Sequence, residues 1–218
     1  MTLNLSGLEA SARQHGWSTG TASMDEIRTA AQLLGWEEVP TRAGEPAVAD
    51  LRPINQQDAP PRSLSATYGT GAQPLHTDGA HLHHPPDLVM LCADEPNETP
   101  TLLWTVLSDA SHRPGHWSYL ADGVFLVKNG RESFFATAVL GAGLRYDPGC
   151  MDPCDQRARH VAQFFKEAAG EAHKHNWATA HQVLVIDNRK TLHARTAVPD
   201  QDRARLLHRI ALNTRKQQ

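Results

Sequence analysis

The sequence has little cysteine, few aromatic residues and no long apolar run, and each shortage narrows what it encodes. Three cysteines occur in 218 residues, Cys92, Cys150 and Cys154. So sparse and odd a set suits a reducing compartment better than a disulfide framework. Cys150 and Cys154 lie close together, but no second cysteine pair or well-spaced histidine accompanies them, so no structural zinc site is expected there. No apolar run nears the ~20 residues of a transmembrane helix, so no membrane partner is expected. The N-terminal residues lack a basic region followed by an apolar core, so no signal peptide is read and a cytoplasmic location is expected. A basic excess is also missing. The formal net charge of −3 argues against the basic stripe of a nucleic-acid binder. Repeats of solenoid period are absent. The remaining composition, 40% apolar and 21% charged, is that of an ordinary globular protein. The length suits one domain, 1–218, able to bury a core.

Histidine is plentiful, with 13 in the chain, and three side chains form a pattern. His76-Thr77-Asp78 is followed far downstream by Asp187-Asn188-Arg189-Lys190-Thr191-Leu192-His193. In an extended segment, residues i and i+2 point to the same side, so His76 and Asp78 can grip one ion together. His193 must be delivered by the fold. Two imidazoles and one carboxylate can occupy one face of an iron(II) octahedron, leaving open positions for a co-substrate and dioxygen. The same three groups permit a tetrahedral zinc with an open water position. Arg205 and Arg209 follow on the next expected strand, and arginine suits a carboxylate that must be held bidentately. His81, His83 and His84 lie just after the first motif; a zinc site built from them is the weaker reading for a loop flanked by proline.

The chain divides into a helical or irregular part, 1–63, and a β-rich body, 64–213. Residues 1–22 show no firm pattern. Ser23 to Glu26 is a capping box, and Ile27, Ala30, Ala31, Leu33 and Leu34 form the stripe of the helix it opens, with Gly35 as the stop. A Pro-rich connector from Pro40 to Pro61 has room for a short strand at 47–51. The β body is expected to begin near Leu64. Strands are expected at 87–93, doubly buried, at 101–107, at 144–147, at 182–187 and at 205–212. A hairpin over 124–135 is expected to turn at Asn129-Gly130. A helix is expected over 155–175 with Val161, Phe164, Phe165, Ala168, Ala169 and Ala172 on its apolar face. Trp104 and Phe135 are expected in the core. The whole reads as mainly β with flanking helices, a double-sheet jelly roll with helices packed on one sheet.

Three blocks of this sequence resemble the taurine dioxygenase-like (TauD/TfdA) family of Fe(II)/2-oxoglutarate-dependent oxygenases. They are Leu75-His76-Thr77-Asp78-Gly79 with Pro86 to Cys92 behind it, Glu98 to Trp104, and Asp187 to His193 followed by Arg205 to Arg209. The resemblance implies a double-stranded β-helix core, cupin-like, with His76, Asp78 and His193 as iron ligands. It implies Arg205 as the clamp on the distal carboxylate of 2-oxoglutarate, with Thr101 as its hydroxyl partner. Arg209 matches a position that touches the co-substrate or an anionic group of the substrate. The implied cofactors are Fe(II), 2-oxoglutarate and O2. The implied reaction is hydroxylation of an unactivated C–H bond in a small molecule, with release of succinate and CO2. A carboxylate at Asp78 favours hydroxylation over halogenation, which needs that position open for chloride, while desaturation and ring formation would use the same triad. Arg145 and Asp147 fit the carboxylate and amine of an amino acid, and His81 can reach the same pocket. Two departures stand out: Leu75 takes a place where the family often has tryptophan, and the stretch between Thr101 and His193 is short. That stretch often carries the lid, so the pocket is either more open or closed by a partner subunit in a homo-oligomer. A binding barrel without turnover and a zinc-dependent hydrolase are the rival classes.

Overall fold

The computed structural model describes residues 3–42, 44–105, 116–130 and 132–214. The N-terminal segment is ordered into a helix and a strand, α1 (Leu5–His15) and β1 (Trp17–Thr21). Only Leu5 and Ala12 of α1 are fully buried, too few for a readable apolar stripe. Next comes α2 (Met24–Leu33), opened by the expected capping box: the Glu26 amide donates to the Ser23 hydroxyl at 3.3 Å, and the Ser23 amide donates to the Glu26 carboxylate at 2.8 Å. Its stripe is narrower than expected. Ile27 and Ala31 are buried, but Leu33 is 80% exposed because it lies on the far side of the helix from Ile27, and Leu34 is the residue at which the chain leaves the helix.

β2 (Glu37–Glu38) and β3 (Val48–Leu51) follow. At residue 64, where the β body was expected to start, Ser63 caps a short helix instead, α3 (Leu64–Tyr68), by accepting from the Ala66 amide at 3.0 Å. Beyond it lie β4 (Leu88–Ala93), buried at every position, and β5 (Asn97–Thr105). Val106 and Leu107, expected in the same strand as Thr105, lie outside the described residues. α4 (His116–Asp122), β6 (Phe125–Asn129) and β7 (Glu132–Ala136) come next. In the β6–β7 hairpin Asn129 pairs with Glu132. The connection therefore starts at Gly130, one residue later than expected, where φ is +61°, a value glycine adopts without strain. Arg131 lies outside the described residues. Phe135 is 71% exposed, not core, because Phe134 takes the inward side of β7. Trp104 is in the core, as expected.

The chain continues through β8 (Val139–Leu140), β9 (Gly143–Leu144), β10 (Met151–Pro153) and α5 (Gln156–Ala168). The strand expected at 144–147 is confined to Leu144. The helix expected to reach 175 stops at Ala168, and β11 (His173–Trp177) begins soon after. Burial there alternates, with His175 and Trp177 inward and Lys174 and Asn176 outward, so the period has switched from 3.6 to 2. β12 (Gln182–Asp187), β13 (Thr191–Arg195) and β14 (Leu207–Asn213) complete the fold. Arg205 precedes β14 in a turn, its amide donating to the Asp202 carbonyl at 3.0 Å.

Two sheets face each other. The larger runs β1-β12-β4-β14-β2, with β3 also on β14, and the smaller is β11-β5-β13. Between them pack Val89, Leu91, Leu184, Ile186 and Leu207 from one sheet and Leu103 and Trp177 from the other. Helices cover both outer faces, not one. α1 and α2 lie on the larger sheet through Leu5, Ile27 and Ala31 against Met90, Val185 and Ile210. α5 lies on the smaller through Val161, Phe164 and Phe165 against Trp104 and Leu192. This is the jelly-roll, double-stranded β-helix arrangement. Residues 1–63 are less separate than their irregular sequence implied, since β1, β2 and β3 all pair into the larger sheet. Among the described residues no helix is long and apolar enough to cross a membrane.

Candidate active site

His76 and His193 meet directly. They form an isolated antiparallel bridge in which each amide donates to the other's carbonyl at 2.9 Å. Directly opposed residues place their side chains on the same face, and the ring centroids lie 4.4 Å apart. The pairing closes a loop of more than a hundred residues, which the β-roll makes possible. The His76 Nδ1 lies 3.0 Å from the Pro74 carbonyl, so its Nε2 faces inward, 3.7 Å from Asp78 Oδ1. The His193 Nε2 lies 3.8 Å from the same oxygen.

Thr77, between the ligands in sequence, points the other way. Its amide donates to the Tyr146 carbonyl at 2.7 Å, and its hydroxyl accepts from the Tyr146 amide at 3.1 Å. After Asp78 the chain turns at Gly79, with φ +67° and a Pro86 carbon 2.7 Å from where a Cβ would stand, so only glycine fits. Asn188 fixes the Asp78 backbone. Its Oδ1 accepts from the Asp78 amide at 2.8 Å, and its Nδ2 donates to the carbonyls of Asp78 at 3.0 Å and Pro86 at 2.9 Å. Asn188 is wholly buried. It lay inside a recognised block, yet its role depends on a contact across the fold and was not readable. Asn188→Ala would leave buried backbone groups unpaired at about 1–3 kcal/mol each. We expect a clear drop in the denaturation midpoint together with weaker metal binding, measured by chemical unfolding and metal titration; an unchanged midpoint would remove this role.

Ligand atoms of His76, Asp78 and His193 all lie within 4.8 Å of one another. Burial drives the His193 imidazole down to about 3, with His76 and Arg209 pushing the same way and Asp78 opposing. It is therefore a neutral donor at neutral pH, as a metal ligand must be. Burial raises the Asp78 carboxyl, but Arg209, His193, His76 and His81 together outweigh it and hold it below the usual carboxylate range. The buried Asp78 Oδ2 and His193 Nδ1 have no hydrogen-bond partner. A carboxylate and two imidazoles gathered this closely fit a divalent cation, and the donor set suits a facial-triad iron site.

Arg209 points into the space between the sheets, on the same side as its cross-strand partner Leu91. Its guanidinium lies 3.3 Å from Asp78 Oδ2 and donates to the Thr41 hydroxyl at 2.6 Å. Its observed partner is thus the Asp78 carboxylate. Thr101 lies two residues along β5 from Leu103, which pairs with His193, and so shares the face of the ligand. Its hydroxyl accepts from Trp177 Nε1 at 3.2 Å, which leaves its own proton free to donate. Arg205 Nη1 reaches Asn97 Oδ1 at 3.4 Å. Burial lowers the Arg205 guanidinium, and Asp202 opposes this.

The segment 145–147 runs beside the first motif through the Thr77–Tyr146 bonds. Tyr146 turns into the core, and Arg145 before it is buried as well while Asp147 after it is partly exposed. Arg145 is 2% exposed; its Nη2 donates to the His83 carbonyl at 2.7 Å and its head lies 5.1 Å from the Phe134 ring centre. Its Nε has no partner, and among the described residues no carboxylate pairs with it. Asp147 accepts from the Gly149 amide at 2.7 Å. His81 is half-buried. Burial lowers its imidazole, while Asp147 and Asp78 pull it the other way. Residues 106–115, part of the short stretch in which the lid was expected, lie outside the described residues.

A jelly roll carrying a facial His-Asp-His triad defines a class of mononuclear metal site, and the comparisons agree with it. The model of the taurine catabolism dioxygenase TauD, TfdA family matches residues 112–211, bearing out the resemblance read from the motifs; His193, Arg205 and Arg209 lie within the match, and His76 and Asp78 ahead of it. No curated protein matches the chain significantly. In fold it is similar to an asparagine oxygenase solved with Fe(II), 2S,3S-3-hydroxyasparagine and succinate, at 17% identity and TM-score 0.78 over 97% of this chain and 78% of that one. It is also similar to the non-heme iron oxygenase OrfP solved with Fe, succinate and (3S)-hydroxy-L-Arg, at 16% identity and TM-score 0.70 over 97% and 80%. A third is the PvcB protein from Pseudomonas aeruginosa, at 16% identity and TM-score 0.68 over 97% and 80%.

Proposed function

We propose that this chain is an Fe(II)/2-oxoglutarate-dependent dioxygenase that hydroxylates an unactivated C–H bond of a small molecule of the amino-acid class. The observation that carries the reading is the buried His76–Asp78–His193 cluster, with Thr101 on the face of His193 and Arg205 close by through Asn97. Iron(II) bound there would supply the coupling of dioxygen reduction to 2-oxoglutarate decarboxylation, giving succinate and CO2. His76, Asp78 and His193 hold the metal. Arg209 and Asn188 hold Asp78, the first by charge and the second through the backbone. Thr101 and Arg205 receive the distal carboxylate of the co-substrate. A zinc hydrolase has no general need for that pair, and a barrel without turnover has no need for a carboxylate and two imidazoles so enclosed.

The substrate side rests on Arg145, Asp147 and His81. A buried guanidinium without a carboxylate partner suits a substrate carboxylate, and Asp147 suits an amine. Neighbouring folds bind hydroxylated asparagine and arginine, which supports the amino-acid class. All three cysteines are free, in keeping with a reducing, cytoplasmic setting. We expect a panel of amino acids and their derivatives to contain compounds that stimulate succinate formation. Asp147→Asn should raise the KM of an amine-bearing substrate about tenfold or more while slow turnover of 2-oxoglutarate without substrate persists. Equal KM values for both proteins would remove Asp147 from the pocket.

A further inference from the structure

Around Thr101 the smaller sheet gathers more nitrogen donors than its hydrogen bonds use. One row across the sheet runs His175, Thr101, Arg195, because Thr101 pairs with His175 on one side and with Arg195 on the other. Such neighbours stand about 5 Å apart at Cβ and share a face. That face is also the face of His193, two residues before Arg195. Trp177 donates its indole N–H to Thr101 and pairs with Asn97, and Asn97 receives Arg205. Along this part of the sheet four buried nitrogens have no hydrogen-bond partner among the described residues: Asn97 Nδ2, His175 Nε2, Arg195 Nε and Arg205 Nε. Orphaned buried donors are rare and call for an acceptor. No carboxylate side chain of the described residues hydrogen-bonds either guanidinium: Asp202 receives the Thr99 hydroxyl and acts on Arg205 by charge alone, and Arg195 Nη2 donates only to the carbonyls of Gly69 at 2.6 Å and Gly71 at 2.8 Å. Arg205 stands close enough to Arg195 to help push its guanidinium down, beyond what burial does, and two such guanidiniums with donors to spare make a site for a carboxylate.

We propose that Arg195 is a second arm of the co-substrate clamp, sharing the distal carboxylate with Arg205 and Thr101 and selecting dicarboxylic over monocarboxylic 2-oxo acids. The proposal rests on reading the neighbouring metal site as that of a 2-oxo-acid oxygenase. Its two bonds to the 69–71 loop hold the Arg195 head in place, so the arm is organised before the ligand arrives. His175 and Asn97 complete the polar wall.

The test is an anaerobic calorimetric titration of the Fe(II)-loaded full chain with 2-oxoglutarate and, separately, with 2-oxobutyrate, which keeps the keto-acid head and lacks the distal carboxylate. Wild type should prefer 2-oxoglutarate. Arg195→Met should weaken 2-oxoglutarate about tenfold or more and leave 2-oxobutyrate unchanged. Arg195→Lys covers the case in which methionine unfolds the chain. It keeps the charge but loses the planar fork, and should narrow the preference several-fold. If either folded variant keeps the wild-type preference, or loses affinity for both acids equally, Arg195 only ties the loop and the proposal is overturned, while the oxygenase reading stands on wild type and Arg205→Met. If wild type binds neither acid, the oxygenase reading itself fails and takes this proposal with it.

Discussion

Asp78→Ala should abolish stoichiometric iron(II) binding and bring iron-dependent succinate formation to background. Removal of an outer-sphere partner of a metal ligand typically costs 10–100-fold in affinity or activity, and loss of the only anionic ligand must cost more. The surroundings sharpen the effect. Arg209 sits 3.3 Å from Asp78, with its side chain largely covered. In the alanine variant that guanidinium would face two imidazoles and no carboxylate, so a cation would enter a site already positive. Leaving that largely covered guanidinium without its carboxylate also costs stability, so the variant should melt earlier than wild type. Asp78→Asn separates the two consequences. It retains a partner for Arg209 and the fold, but offers a neutral ligand, and it should recover stability without recovering iron. A variant lacking Asp78 that still binds iron at wild-type affinity would remove this carboxylate from the metal site.

Arg205→Met should raise the KM for 2-oxoglutarate by on the order of a hundredfold, since truncating one member of a buried, hydrogen-bonded charge pair costs about 2–5 kcal/mol. Iron affinity should not change, because no ligand contacts Arg205; its hydrogen-bond partner is Asn97. Steady-state kinetics against 2-oxoglutarate and a parallel iron titration check both halves. A lowered kcat at unchanged KM would assign Arg205 to something other than holding the co-substrate. Thr101→Val is the milder companion, removing one hydroxyl donor and leaving the cation.

The clustering of His76, Asp78 and His193 was legible because each half of its signal is local. His76 and Asp78 are two residues apart, and the Asp187–His193 block sits at the end of a strand whose apolar run is plain. Elements whose type depends on distant partners were not. α1 buries two side chains, so its pattern is thin, and β11 follows a helix so closely that the helical stripe appeared to continue through it. Asn188 acts through three bonds to the backbone of residues far away in sequence, and no spacing encodes that. Arg195 shows the same limit. Beside His193 it is one arginine among several, and its place next to Thr101 appears only once β13 is registered against β5. Arg209 was matched by motif to an anion of substrate or co-substrate, and its contact with Asp78 appears only in the fold.

The most direct measurement is the absorption spectrum of the full chain under anaerobic conditions with Fe(II) and 2-oxoglutarate, followed by admission of O2. A weak visible charge-transfer band is expected in wild type, absent from Asp78→Ala, and it should bleach on oxygen as succinate appears. No band in wild type, with Asp78→Ala binding metal equally well, would contradict the account at its centre.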